Sequence, residues 1–290
     1  MDFFLQLLAN GLVNGSFYAL SAIGLTLVFG LMRVVNFAHG DIYMVGGLLG
    51  WTFTVHLGLG FFPSLIAVIV VMGAAGWLIE RVLIERVREQ GEEPGILLTI
   101  GLSIFLVNTA LLIYGTAPLK VTGPMPNKPI FFGPVVLTEA RLAIVAIAAL
   151  LILAAHMVIQ HTKLGRAMRA TFQDTMAAKL AGIQTAQVYA TTFAMGIVLA
   201  SVAGMLLGSI YVAQPTIGGL VSLKAFVVVI FGGMGSFPGA IVGGLVLGLV
   251  EAIWGGYLGT GYVDAIGFAM VIIMLLVRPY GLFSKRAERV

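Results

Sequence analysis

The sequence predicts an all-α integral membrane protein of about eight transmembrane helices, and three observations predict it. Of its 290 residues, 60% are apolar and only 10% are charged, whereas soluble domains run roughly 45–50% apolar and about 25% charged. Apolar stretches long enough to cross a bilayer, about 17–25 residues, can be read at 5–31, 62–82, 94–115, 139–160, 187–212 and 262–278. The 38 glycines suit helices that pack backbone to backbone in lipid, where small residues permit close approach. Two further apolar regions are interrupted. Residues 40–57 carry Gly40, Gly46, Gly47 and Gly50, and 220–258 is broken by GGMGSFPG, Gly232 to Gly239. The second is long enough for two helices, so the count is eight or nine, in a single transmembrane domain over 1–290.

The connections set the orientation. Segment 80–93 holds Arg81, Arg86 and Arg88. Segment 161–186 holds Lys163, Arg166, Arg169 and Lys179, and the tail holds Lys285, Arg286 and Arg289. An excess of Lys and Arg marks cytoplasmic loops, so all three segments and the C-terminus are expected in the cytoplasm. The net charge of +4 is accounted for in this way, and no nucleic-acid partner is expected. Segment 116–138, with Pro118, Pro124, Pro126, Pro129 and Pro134, cannot be helical and falls outside by alternation. There is no cysteine, hence no disulfide, thiol nucleophile or cysteine metal site.

Four features carry candidate chemistry. In 161–186 the apolar residues Ala167, Met168, Phe172, Met176, Ala177, Leu180 and Ile183 recur at three and four, with Arg169, Gln173 and Asp174 opposite. That is the pattern of an amphipathic helix, either docking into a cytoplasmic partner or lying on lipid headgroups. Asn36, His39 and Asp41, in NFAHGD, are costly at membrane depth unless they face protein, water or solute. They line a solute path next to a glycine-broken helix, or they form a capped turn. Lys224 and Glu251 interrupt apolar runs and are free to pair, to line the path or to sit near an interface, while Asp264 falls at a span end. GGMGSFPG lacks the lysine and Ser/Thr of a nucleotide-binding loop, so it is read as a helix break or re-entrant loop. The histidines show no metal-ligand spacing, and no catalytic constellation is visible. A weak internal repeat relates Phe29–Met32 with the NFAHGDIYMVGGLLG after it to Phe231–Met234 with SFPGAIVGGLVLG.

The stretches GLTLVFGLMRVVNFAHGDIYMVGG (Gly24 to Gly47), TKLGRAMRATFQDTMAAKLAGI (Thr162 to Ile183), FVVVIFGGMGSFPGAIVGGLVLGLVE (Phe226 to Glu251) and RPYGLF (Arg278 to Phe283) resemble the high-affinity branched-chain amino acid ABC permeases. The chain is similar to the shorter of their two paired permease subunits. The resemblance implies a non-catalytic subunit in the bacterial inner membrane, in contact with membrane lipid and without a cofactor. It also implies a second homologous permease subunit as heterodimer partner, two cytoplasmic ATPase subunits and a periplasmic solute-binding protein. The solute stays open among branched-chain amino acids, urea, amides and aromatic acids. Asp174 to Ala178, with Gly182 following, resembles a divergent form of the importers' ATPase-docking loop. The coupling residues are accordingly Gly165, Arg166, Arg169, Asp174, Ala177, Ala178 and Gly182, and the solute path is placed at Asn36, His39, Asp41, Gly46, Gly47 and Glu251. The competing reading is a self-sufficient secondary transporter or channel. The modest length, the docking-helix candidate and the few buried acids available for an ion relay speak against it.

Overall fold

In lipid, a spanning backbone must satisfy its polar groups internally, and these apolar runs do so as helices. The structure is a computed structural model describing residues 1–32, 35–88, 90–278 and 281–283. Arg33, the tail cations Lys285, Arg286 and Arg289, and Pro279 and Tyr280 of the RPYGLF stretch lie outside the described residues. The helices are α1 (Asp2–Met32), α2 (His39–Trp51), α3 (Phe61–Ile79), α4 (Glu85–Arg88), α5 (Glu92–Tyr114), α6 (Glu139–His161), α7 (Lys163–Gln173), α8 (Thr175–Leu180), α9 (Thr185–Ile210), α10 (Gly218–Gly232), α11 (Phe237–Tyr257) and α12 (Val263–Val277). A π-helical turn, Thr52–His56, extends α2, and another, Glu80–Ile84, joins α3 to α4. The proline-rich loop forms one hairpin that the sequence did not announce, β1 (Pro129–Phe132) with β2 (Val135–Thr138), antiparallel with Ile130 opposite Leu137.

Among the described residues seven helices are long and apolar enough to cross a membrane: α1, α3 with α4, α5, α6, α9, α11 and α12. The other two are short. At 1.5 Å per residue, α2 with its π turn is about 27 Å long and α10 about 22 Å, less than a hydrocarbon core of about 30 Å. Among the described residues the expected eight or nine thus become seven full spans and two partial ones.

Glycines hold the centre together. A Cβ at Gly11 would lie 2.8 Å from the Cα of Leu249, and one at Gly15 would lie 2.8 Å from the Cα of Leu245. Gly244 and Gly248 return the contact from α11 onto Ala19 and Gly15. Gly24 and Gly196 join α1 to α9 in the same manner, and Gly46 and Gly204 join α2 to α9. The small-residue spacing at 244/248 is therefore a helix seam. The expected break of residues 40–57 at their glycines does not occur. The helix continues through Gly46, Gly47 and Gly50, and only its winding changes, at Thr52. These glycines admit neighbouring backbones and do not loosen their own, since breaking helical hydrogen bonds inside lipid would leave groups unsatisfied.

GGMGSFPG is a helix break, as expected. Gly233 (φ +100°) closes α10 and Gly235 (φ +83°) turns the chain, conformations that side chains with a Cβ resist. Ser236 Oγ then accepts from Gly239 N at 3.2 Å to start α11. The two copies of the sequence repeat meet here, because a Cβ on Gly30 would lie 3.3 Å from the Cα of Gly235.

The bundle has two distinct ends. At one, Gln6 exchanges hydrogen bonds with Val136 of the hairpin (3.0 and 2.7 Å) and Arg141 reaches Asn10 at 2.9 Å. Leu119 bridges Ala213 beside them. At the other end, Arg88 lies over the Tyr189 ring, Phe172 touches Gly30 and Gly235, and Leu282 N donates to Phe231 O at 3.0 Å. Segments 80–93 and 161–186 and the approach to the tail therefore share one end, and the proline-rich loop and N-terminus share the other.

Candidate functional site

The first polar cluster lies where α2 and α10 begin. Asn36 Oδ1 accepts from Ala38 N (3.1 Å) and Asn36 O accepts from His39 N (3.2 Å), a turn that launches α2. His39 Nε2 lies 2.9 Å from Ser21 O. A carbonyl only accepts, so Nε2 carries the proton. Gly40 N donates to Ser222 Oγ of α10 (2.8 Å), and Ser222 Oγ donates to Phe37 O (3.3 Å). Thr99 of α5 holds the same turn through Phe37 N and Val35 O. Asp41 packs against Gly218, where a Cβ would overlap its carboxylate. Asn36, His39 and Asp41 are all buried, and Asn36 Nδ2 and His39 Nδ1 have no hydrogen-bond partner among the described residues. Gly46 and Gly47 continue up α2 and abut Ser201 and Gly204 of α9. These five path candidates form one buried column within the chain.

Glu251, the sixth, belongs elsewhere. Lys224 Nζ of α10 lies 3.0 Å from Glu251 Oε1 of α11 and 3.0 Å from Asp264 Oδ1 of α12. Tyr18 of α1 donates its hydroxyl to Glu251 Oε2 at 2.7 Å and accepts from Lys224 Nζ at 3.2 Å. Four helices thus meet on one cation and two acids. Helical rise puts Glu251 about 21 Å along α11 from Phe237, and Asp264 about 20 Å along α12 from Val277. Both reference points lie at the end of the bundle that carries the basic segments; Asp264 stands in the first turn of α12 and Glu251 six residues before the end of α11, so the cluster lies toward the hairpin end. Lys224 and Glu251 stand together in the sequence as free to pair. Their opposite signs inside apolar runs were the available signal for the pairing, whereas Tyr18 gave no signal.

The coupling candidates divide by role. Asp174 Oδ1 accepts from Met176 N (2.8 Å) and Ala177 N (3.0 Å). It caps α8, and the single helix expected over 161–186 is two helices broken at that residue. Gly165 sits where α7 folds back on α6, and a Cβ there would overlap the carbonyls of Val158 and Ile159. Arg169 donates to Ile159 O, closing the end of α6. Gly182, at φ +83°, ends the turn after α8. Ala178 is buried, whereas Arg166 and Ala177 are exposed. Met176 and Leu180, 67% and 84% exposed, stand apolar at the polar end of the bundle.

A chain of contacts links this segment to the spans. Thr175 Oγ1 lies 3.2 Å from Tyr189 OH, and the Arg88 guanidinium sits 3.8 Å above the Tyr189 ring. Arg88 pairs at 2.5 Å with Glu80, which is fully buried in the π turn after α3. Removing one partner of such a pair strands the other. Arg88→Ala is therefore expected to lower stability by about 3 kcal/mol, read as a drop in the thermal midpoint of the detergent-purified chain. Adding Glu80→Gln should recover most of the loss.

Comparison with known proteins places this arrangement. A family model described as "Branched-chain amino acid transport system / permease component" matches residues 7–275. The high-affinity branched-chain amino acid transport system permease protein LivH of Escherichia coli (strain K12) is 38% identical, covering 98% of this chain and 96% of that protein. BraD of Pseudomonas aeruginosa, with the same description, is 37% identical over 97% and 96%. The ribose import permease protein RbsC of Escherichia coli (strain K12) is 27% identical over 84% and 76%. Among solved structures, PsaBC from Streptococcus pneumoniae in complex with Fab aligns with a TM-score of 0.49 at 15% identity, over 96% of this chain and 92% of that one. A match over nearly the whole chain, on a bundle of membrane-crossing helices, shows that this protein belongs to the branched-chain amino acid transport system permease family, whose members are non-catalytic membrane components.

Proposed function

We propose that the chain is one permease subunit of an ATP-driven importer in the bacterial inner membrane, carrying a branched-chain amino acid or a related small polar solute inward. The observation that carries this reading is the α7–α8 segment. It presents exposed Met176 and Leu180 at the basic end of the bundle and connects through Tyr189, Arg88 and Glu80 to α9 and α3. An ATPase outside the membrane needs such an element to push on. Met176, Leu180 and Ala177 form the docking face, while Gly165, Arg169, Asp174, Ala178 and Gly182 give it shape and Arg166 lies exposed beside it. The basic end faces the cytoplasm with the C-terminus, and the N-terminus and hairpin face the binding protein. A second permease subunit completes the channel. Of the path candidates, Glu251 belongs to the wall, and the Asn36, His39, Asp41, Gly46 and Gly47 column fixes α2 and α10 behind it.

Reconstitution tests the reading. The chain alone in liposomes is expected to hydrolyse no ATP and take up no solute. With a second permease subunit, two ATPase subunits and a binding protein, it is expected to take up amino acid only when ATP is supplied. Uptake by the chain alone under a proton or sodium gradient would establish the secondary-transporter reading instead.

A further inference from the structure

The Lys224 cluster is charged and partly open. Glu251 is buried, but Asp264 is 53% and Lys224 21% exposed by side chain, beside a small cleft lined by Leu220, Leu223, Val227 and Phe268. About 20 Å from the basic end by helical rise, the cluster stands nearer the hairpin end, where α11 ends and α12 begins. Ionised side chains within or at the edge of a span face protein or water and not lipid, so the α10–α12 face at Asp264 turns to one of these. One ammonium between two carboxylates leaves a formal charge of −1. The Lys224 ammonium lies between the two Glu251 oxygens, 3.0 Å from Oε1 and 3.1 Å from Oε2, so Glu251 is committed to Lys224 and the surplus charge falls on the more exposed Asp264.

Resting on the importer reading above, we propose that Lys224, Glu251 and Asp264 form a station for a zwitterionic solute toward the hairpin end of the bundle, in which Asp264 receives the solute's ammonium group and Lys224 its carboxylate. Tyr18 and Glu251 keep Lys224 in place while Asp264 exchanges one ammonium for another. Charge balances at each stage. The solute's cation replaces Lys224 at Asp264, the solute's anion replaces Asp264 at Lys224, and the cluster carries −1 throughout. A neutral amide gains little from such a site, and a simple anion meets its surplus negative charge. The station thus selects for free α-amino acids.

The test uses the complete transporter in liposomes, with Asp264→Asn and Asp264→Cys in this chain and any accessible cysteines in the partners replaced. The chain itself has no cysteine. Both variants are expected to lower amino-acid uptake roughly tenfold or more, a change of about 1.4 kcal/mol in the barrier, while the complex still assembles. Modifying Asp264→Cys with a thiosulfonate bearing a sulfonate should restore much of the uptake, and one bearing a quaternary ammonium should not. Saturating amino acid should slow the labelling. Unchanged uptake by Asp264→Asn overturns the station. So does a cysteine that resists labelling in every nucleotide state, which would mean that a partner side chain covers the acid. If the unsubstituted complex shows no ATP-driven uptake, the importer reading fails instead, so the two failures are distinguishable.

Discussion

Replacing Gly46 by leucine is expected to leave almost no folded chain in detergent extracts, with transport lost because the protein is lost. A Cβ at this position overlaps the backbone of Ser201 on α9, and a backbone cannot move aside as a side chain can. Two helices sealed by several such contacts would have to separate, at a cost beyond about 4 kcal/mol, a magnitude reserved for gross disruption of a core. Gly101→Ala is the control. Nothing lies within 4 Å of a Cβ there, and the change is expected to stay within about 0.5 kcal/mol. Size-exclusion profiles and thermal midpoints of both variants check the expectation. A Gly46→Leu chain that folds and elutes normally but fails to transport would instead put this glycine on the solute path.

The second large effect is on coupling. Met176→Glu combined with Leu180→Glu should reduce ATP-driven uptake roughly tenfold or more, the loss expected when central apolar anchors of an interface are removed. The thermal midpoint of the isolated chain should stay unchanged, since both side chains are largely exposed. Reversing Asp174 differs in kind. It removes a cap worth about 1 kcal/mol and deforms α8, so its uptake defect should be accompanied by local unfolding. Normal uptake by the double glutamate variant would assign these residues to the headgroup layer, with docking elsewhere.

The features legible in the sequence were those that depend on neighbours along the chain. Span positions follow from runs of apolar residues, and the shared end of segments 80–93 and 161–186 follows from Arg and Lys. The break between α10 and α11 follows from Gly233 and Gly235. The division of 161–186 was masked because Phe172, Met176 and Leu180 stay four apart across it, so the apolar period runs on while the helix does not. Asp174 ahead of Thr175 and Met176 was the overlooked start signal. Meetings between distant segments were not legible. Tyr18, Lys224, Glu251 and Asp264 come together only once α1, α10, α11 and α12 are packed. The glycines of α2 read equally well as flexible joints or as contact points until α9 is seen against them.

Asp41 acquires a second meaning from where α2 and α10 start. Both helices begin inside the bundle, His39 opening one and Gly218 the other, and the Asp41 carboxylate lies in the first turn of α2 against Gly218. Each helix N-terminus carries the equivalent of about half a positive charge, so two of them converging amount to roughly one unit, which a single carboxylate matches. A carboxylate at Asp41 thus meets the positive ends of two of the protein's own helices, so that backbone can stand in for a lysine or arginine at this buried junction.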